Sequence, residues 1–169
     1  MLLSGRGGAG KSVLADEIGK MLTGARHTTA VVDLDALSQF GPPPPEGSAE
    51  RIGFHERLRY KNLAAVWTTF RAAGARFVVV AGIIETAAAR TRYAGCLAGC
   101  DVQLARLVAP IEVVGERIRG RKQESASGRA VQSAVEQHEV LARAGIEDFT
   151  VTNDRALPDV ARETLIRAG

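Results

Sequence analysis

Residues 5 to 12 read Gly5-Arg6-Gly7-Gly8-Ala9-Gly10-Lys11-Ser12, which fits G-x-x-x-x-G-K-[ST] without a gap. This motif needs an apolar strand before it and a helix after it. Met1–Ser4 supplies a short strand, and Lys11–Leu22 places Val13, Leu14, Ile18, Met21 and Leu22 on one side of a helix. Glycines let backbone N–H groups wrap a phosphate, and the helix adds unpaired N–H groups and the positive end of its dipole. Lys11 brings a charge to the outer phosphates and Ser12 a hydroxyl for Mg²⁺. The expected ligand is a nucleoside triphosphate, ATP, held by Gly5, Gly7, Gly8, Ala9, Gly10, Lys11, Ser12 and Val13. A glycine-rich turn without a ligand is the competing reading, and the strand–loop–helix context argues against it.

The rest of the 169 residues alternates short apolar runs with helix-period segments. That alternation predicts one α/β domain with a parallel, doubly wound sheet. Thr28–Leu34 is a second strand. Phe40–Gly53, with Pro42-Pro43-Pro44-Pro45, is a long loop, since prolines continue neither a helix nor a central strand. Phe54–Ala73 is a helix with Leu58, Leu63, Val66, Trp67 and Phe70 on its apolar side. Arg76–Ile84 reads as a buried central strand. A helix over Thr86–Leu97, a fourth strand over Val102–Val108 and a helix opened by Pro110 follow. A helix over Arg129–Ala144, a fifth strand over Phe149–Thr152 and a terminal helix from Pro158 complete the chain. Gly24 is the expected C-terminal stop of the first helix.

A net charge of +3 is too small a bias to suggest a nucleic-acid partner. No apolar stretch is long enough to cross a membrane. Met1–Ser4 leaves no room for a signal peptide before the glycine-rich loop, so the expected location is the cytoplasm. Cys96 and Cys100 lack the further Cys or His of a zinc site and read as two small buried side chains. Oligomeric state has no signal in the sequence.

Two classes of phosphate-loop protein compete: motor or switch NTPases, and small-molecule kinases. The apolar run Phe77–Ala81 ends in Gly82-Ile83-Ile84 with no carboxylate until Glu85, unlike a motor. The Asn-Lys-x-Asp guanine motif of a GTPase is missing, and Asn153-Asp154 does not complete it. The second strand instead ends Val31-Val32-Asp33-Leu34-Asp35. Asp-x-Asp on an extended segment sends both carboxylates to one side. At a strand's carboxyl end that side faces a ligand crevice. Asp33 then suits the Mg²⁺ shell and Asp35 the orientation or deprotonation of an attacking hydroxyl, in either order. A pair of strand-end or helix-capping aspartates is the alternative. Glu85 stands at the same edge as a candidate acceptor contact.

With these residues in view, the chain resembles the nucleoside-monophosphate-kinase-like small-molecule kinases, the group containing shikimate, gluconate and adenylylsulfate kinases. Gly5–Ser12 matches their P-loop and Asp33/Asp35 their early acidic motif. The resemblance implies a five-stranded sheet in the order 2-3-1-4-5. It implies Gly82 beneath the acceptor, and Phe149–Asp154 as the last strand and the loop beside the adenine, which puts Asp154 and Arg155 at the base. Glu116-Arg117-Ile118-Arg119-Gly120-Arg121 resembles the arginine-bearing lid, expected over about 119–129 and opposite a substrate-side loop of about 36–56. Gly53-Phe54, Arg59-Tyr60-Lys61-Asn62 and Phe70–Ala75 are similar to adenylylsulfate kinases, which implies acceptor contacts at Phe54, Arg59 and Asn62. That family's clamping segment after the fourth strand is missing.

The expected activity is transfer of the γ-phosphoryl group of ATP to a hydroxyl of a small-molecule acceptor. Lys11, Mg²⁺, Arg117 and Arg121 neutralise the migrating group, the two arginines sharing a face four residues apart. Arg119 reads as solvated. A nucleotide-binding regulatory module and a stand-alone ATPase are the other two classes. Asp33/Asp35 together with the arginine lid favour transfer.

Overall fold

The computed structural model describes residues 1–110, 113 and 143–169. Five strands form one parallel sheet: β1 (Leu2–Ser4), β2 (Thr29–Asp33), β3 (Phe77–Gly82), β4 (Leu104–Val108) and β5 (Phe149–Thr152). Their order is β2-β3-β1-β4-β5, as expected. Four helices lie among the described residues: α1 (Lys11–Gly24), α2 (Phe54–Ala72), α3 (Ala87–Cys96) and α4 (Leu157–Ala168). The expected helices from Pro110 and over Arg129–Ala144 lie largely outside the described residues.

Side-chain alternation along β3 explains the layering. Val79 and Ala81 point into a core with Leu3, Leu14, Ile18, Leu107, Val151 and Val160, beneath α1 and α4. Val78 and Val80 point the other way, to Leu2, Val32, Leu63, Trp67, Tyr93 and Leu104, beneath α2 and α3. A strand buried on both faces must be apolar throughout, which is why this run shows no polar alternation. Trp67 is core and its indole Nε1 donates to Ala98 O at 3.1 Å.

Several local expectations are corrected. β2 stops at Asp33, and Asp35 has helical backbone angles at the start of a short 3₁₀ turn over Ala36–Ser38. The Asp-x-Asp pair is therefore not on one extended segment. Gly24 ends α1 in helical conformation, and the left-handed residue after it is Arg26, at φ 65°. Phe70 is exposed and Cys96 and Cys100 only half-buried. α3 starts where the Thr86 hydroxyl accepts from the Ala89 N–H. The proline loop is tied by Arg51, whose Nη1 donates to Pro44 O at 2.8 Å.

In this strand order the chain leaves β1 toward one edge of the sheet and β3 toward the other. Open parallel sheets bind ligands outside the carboxyl ends of strands at such a switch point. Ser4, Gly82 and Arg106 are neighbours in register at that edge, with Asp33 beside Ala81.

Candidate functional site

The glycine-rich loop leaves β1 at the switch point. Gly8 and Gly10 have φ of 78° and 94°, a region L side chains rarely adopt. Gly5 passes so close to β4 that a Cβ would lie 2.4 Å from Leu107 O. Arg6 is buried, and its guanidinium donates to Ala109 O after β4. Lys11 Nζ donates to Arg6 O at 3.1 Å, laying the ammonium across the loop. The N-cap of α1, Gly10, has no side-chain capping bond, and the first turn holds no acidic residue. With a glycine as N-cap and no acidic residue in its own first turn, the end of α1 suits a phosphate.

A second anchor comes from the far end of the chain. Asn153, just past β5 and 3% exposed, donates from Nδ2 to Ala9 O at 2.8 Å. Its own N–H donates to Val108 O at 2.6 Å. The loop is thereby fastened to the carboxyl ends of β4 and β5.

Asp33 ends β2 facing α1. Ser12 Oγ donates to Asp33 Oδ2 at 2.7 Å, and Asp33 Oδ1 accepts the Asp35 N–H at 2.8 Å. The second bond is an Asx turn, which bends the chain out of the strand and sets Asp35 beyond it. A hydroxyl and a carboxylate oxygen thus meet at the first turn of α1. Both are hard donors of the kind Mg²⁺ takes, in a site that leaves further positions for phosphate and water.

One face of α2 closes on the Asp35 turn. His55 Nδ1 is 3.1 Å from Ser38 O, and a carbonyl only accepts, so Nδ1 carries the proton. Arg59 donates from Nε to Ser38 Oγ and from Nη2 to Asp35 Oδ1, each at 3.0 Å. Asn62 Nδ2 donates to Leu37 O at 2.7 Å. Tyr93 lies behind Arg59, and burial pushes its hydroxyl above the usual tyrosine range even though the guanidinium opposes this. Tyr60, 4.5 Å from Tyr93 between ring centroids, is pushed up too, by burial and by its bond to Glu56. Phe54 opens α2 with its ring 5.7 Å from Phe40.

At the end of β3, a Cβ on Gly82 would lie 2.5 Å from Leu34 Cδ1. The residue type therefore answers to packing against buried Leu34. Beyond it, Ile84 exchanges two hydrogen bonds with Ser4: Ser4 Oγ donates to Ile84 O at 3.1 Å and accepts from Ile84 N at 3.0 Å. Glu85 follows, exposed. A cavity of about 730 Å³, lined by Trp67, Phe77 and Gln103 among others, opens at the amino ends of the strands, the opposite edge from these groups.

No family model matches the chain, and no curated protein is significantly similar to it. Solved structures are similar in fold. A gluconokinase from Sinorhizobium meliloti 1021 aligns with 22% identity over 98% of this chain and 89% of its own, TM-score 0.61. An APS kinase from Mycobacterium tuberculosis, solved with AMPPNP and APS, aligns with 21% identity over 99% and 95%, TM-score 0.66. A shikimate kinase from Aquifex aeolicus aligns with 16% identity over 99% and 94%, TM-score 0.65. The fold is that of the P-loop small-molecule kinases.

On this kinase fold, the structure gathers Lys11, Ser12, Asp33, Asp35, Phe54, Arg59, Asn62, Gly82 and Glu85 around the carboxyl ends of β1, β2 and β3. Asp154 and Arg155 stand beyond β5 and are exposed. Arg155 contacts Asp154 at 3.3 Å and also pairs with Glu163. Arg117, Arg121 and the expected lid lie outside the described residues. Sequence reading missed Ser4, Asn153 and the contact of His55 with Ser38. A polar residue ending an apolar strand was the available signal for Ser4. The i, i+4, i+7 spacing of His55, Arg59 and Asn62 was the signal for a shared polar face. No helix among the described residues is long and apolar enough to cross a membrane.

Proposed function

We propose that this protein is an ATP-dependent phosphotransferase that moves the γ-phosphoryl group to a hydroxyl of a small metabolite. The observation that carries the reading is the contact of Ser12 with Asp33 at 2.7 Å, made in the first turn of the helix after the glycine-rich loop and next to an exposed Asp35. The backbone of Gly5, Gly7, Gly8, Ala9, Gly10, Lys11, Ser12 and Val13 cradles the phosphates. Lys11 neutralises the outer ones, and Asp154 and Arg155 border the base. Mg²⁺ would be held by Ser12 and Asp33, where its chemistry is neutralisation of phosphate charge.

In the transfer, the acceptor oxygen forms a bond to the γ-phosphorus as the bond to the bridging oxygen breaks, and ADP leaves. Asp35, with a side chain 67% exposed, takes the hydroxyl proton or orients it. Its bond from Arg59 leaves the second carboxylate oxygen for the acceptor. The acceptor lies against Asp35, Phe54, Gly82 and Glu85, with Arg59 and Asn62 behind them. Arg117 and Arg121 complete the charge neutralisation in this proposal.

ATP consumption alone, compared with consumption in the presence of sulfonucleotides, nucleosides, sugar acids and aminoglycoside- or chloramphenicol-like alcohols, tests the reading. Turnover stimulated by one class, with phosphate appearing on the added alcohol, is the expected result. ATP turnover indifferent to every alcohol marks a stand-alone ATPase. Tight ATP binding with no turnover marks a regulatory nucleotide-binding module.

A further inference from the structure

Resting on that reading, we infer that His55, Arg59 and Asn62 form a polar staple from α2 that positions Asp35, and that none of them is an acceptor ligand. The three residues fall at i, i+4 and i+7 and so share one face of α2. From that face all three side chains bond to the turn Asp35 to Ser38, and Arg59 also reaches the Tyr93 hydroxyl behind it. Asn62 takes Leu37 O and His55 takes Ser38 O. These are the last carbonyls of a single 3₁₀ turn, which has too few bonds of its own to hold a defined shape. Arg59 then grips the carboxylate. Its planar fork reaches Asp35 Oδ1 with one nitrogen and Ser38 Oγ with another, while Ser38 Oγ donates to Asp35 O at 3.2 Å.

The charge on Arg59 is thus already matched by Asp35, and its side chain is mostly covered, at 29% exposed against 67% for its partner. The exposed member of the pair faces the acceptor, and the covered member holds it. A carboxylate at the tip of a free turn would sample many directions. One fixed at both the turn and an oxygen presents its remaining lone pairs in one direction, as orientation of a proton acceptor requires. Specificity for the acceptor then falls to Phe40, Phe54 and Glu85 around the staple.

Transfer to water separates this inference from acceptor binding, because water needs no acceptor pocket. The probes are ATP hydrolysis, followed by release of labelled phosphate, and AMPPNP affinity. The variants are Asp35→Asn, Arg59→Met, Arg59→Lys, His55→Ala and the double variant Asp35→Asn/Arg59→Met. Arg59→Met is expected to lower hydrolysis about tenfold and Arg59→Lys to recover part of the loss. His55→Ala, at an exposed position, is expected to lower it about threefold. AMPPNP affinity stays within twofold throughout. The double variant falls no further than Asp35→Asn alone, since residues acting as one unit are not additive. Hydrolysis unchanged in Arg59→Met and His55→Ala while Asp35→Asn is impaired overturns the staple and leaves the kinase reading standing. So does a fully additive double variant. Hydrolysis unchanged in Asp35→Asn removes the role of Asp35 and overturns the staple with it.

Discussion

Asn153 and Ala9, at opposite ends of the chain, are joined by a buried hydrogen bond of 2.8 Å from the side-chain amide to the loop carbonyl. The strand farthest along the chain thus braces the loop after the first. Replacing Asn153 by Ala removes a buried donor, at roughly 1–3 kcal/mol. Asn153→Asp goes further, because a carboxylate cannot donate and sets an anion against the negative end of the carbonyl dipole. We predict a lower melting temperature and about tenfold weaker AMPPNP binding for Asn153→Ala, with Asn153→Asp worse in both. Calorimetric titration checks this. Unchanged affinity in a folded Asn153→Ala variant means that the loop keeps its shape without the brace.

Lys11→Ala is predicted to cut phosphoryl transfer by about a hundredfold or more and to weaken ATP binding, because it removes the ammonium that lies across the loop, where the outer phosphates are expected. Arg6, the other cation of the loop, is turned into the protein toward Ala109 O. ATP turnover and nucleotide affinity measured side by side decide it. A folded variant with both intact would sink the phosphate-loop assignment.

Gly82→Ala is predicted to destabilise the fold by roughly 1–3 kcal/mol, the usual effect of a methyl forced into a packed core. Leu34 Cδ1, Cγ and Cβ lie 2.5, 2.9 and 3.0 Å from the new carbon, and Leu34 is 1% exposed with nowhere to turn. Leu34→Ala makes room at that place. The double variant is therefore expected to be more stable than the sum of the single losses indicates. Urea unfolding of the four proteins supplies the comparison; additive losses would place the cost of the methyl somewhere other than Leu34.

Asp148 sets an acid limit on stability. Burial raises its pKa, but the Leu104 N–H at 2.7 Å and the Arg90 guanidinium outweigh this and hold it below the usual carboxylate value. A depressed carboxylate contributes stability that is present above its unfolded pKa and is lost as pH falls through the folded one. Wild-type stability is thus predicted to decline below about pH 4, with part of the decline absent in Asp148→Asn. Thermal melts from pH 7 to pH 3 test this. Parallel curves for the two proteins would show that Asp148 carries none of the acid sensitivity.

The strands and the phosphate loop were legible because each is written locally or in a strand–helix rhythm, and the strand order followed from the family resemblance. The β3 run is apolar without alternation since both of its faces are buried, and the Gly-Lys-Ser step is contiguous. The destinations of polar side chains were harder to read. The Arg59 guanidinium meets Asp35, 24 residues earlier in the chain, across a helix–turn contact. Gly82 packs against Leu34, a neighbour far away in sequence. Asp33 and Asp35 look like one extended pair, because nothing in the residue types marks where the strand gives way to the Asx turn and the helical angles of Asp35. In each case the partner was distant in sequence, or the bond was a local side-chain one.

The Ser4 hydroxyl is a hinge pin with no play in it. One oxygen serves as both donor and acceptor to the same residue, Ile84, across the line where the chain path through the sheet reverses. Gly5, the next residue, opens the phosphate loop, and Glu85 follows Ile84 on the other side. Sliding one wall of the crevice past the other would break two buried hydrogen bonds at once, roughly 1–3 kcal/mol for each group left unpaired. The two walls therefore travel as a single piece, and shape change on binding is left to the segments hung around them.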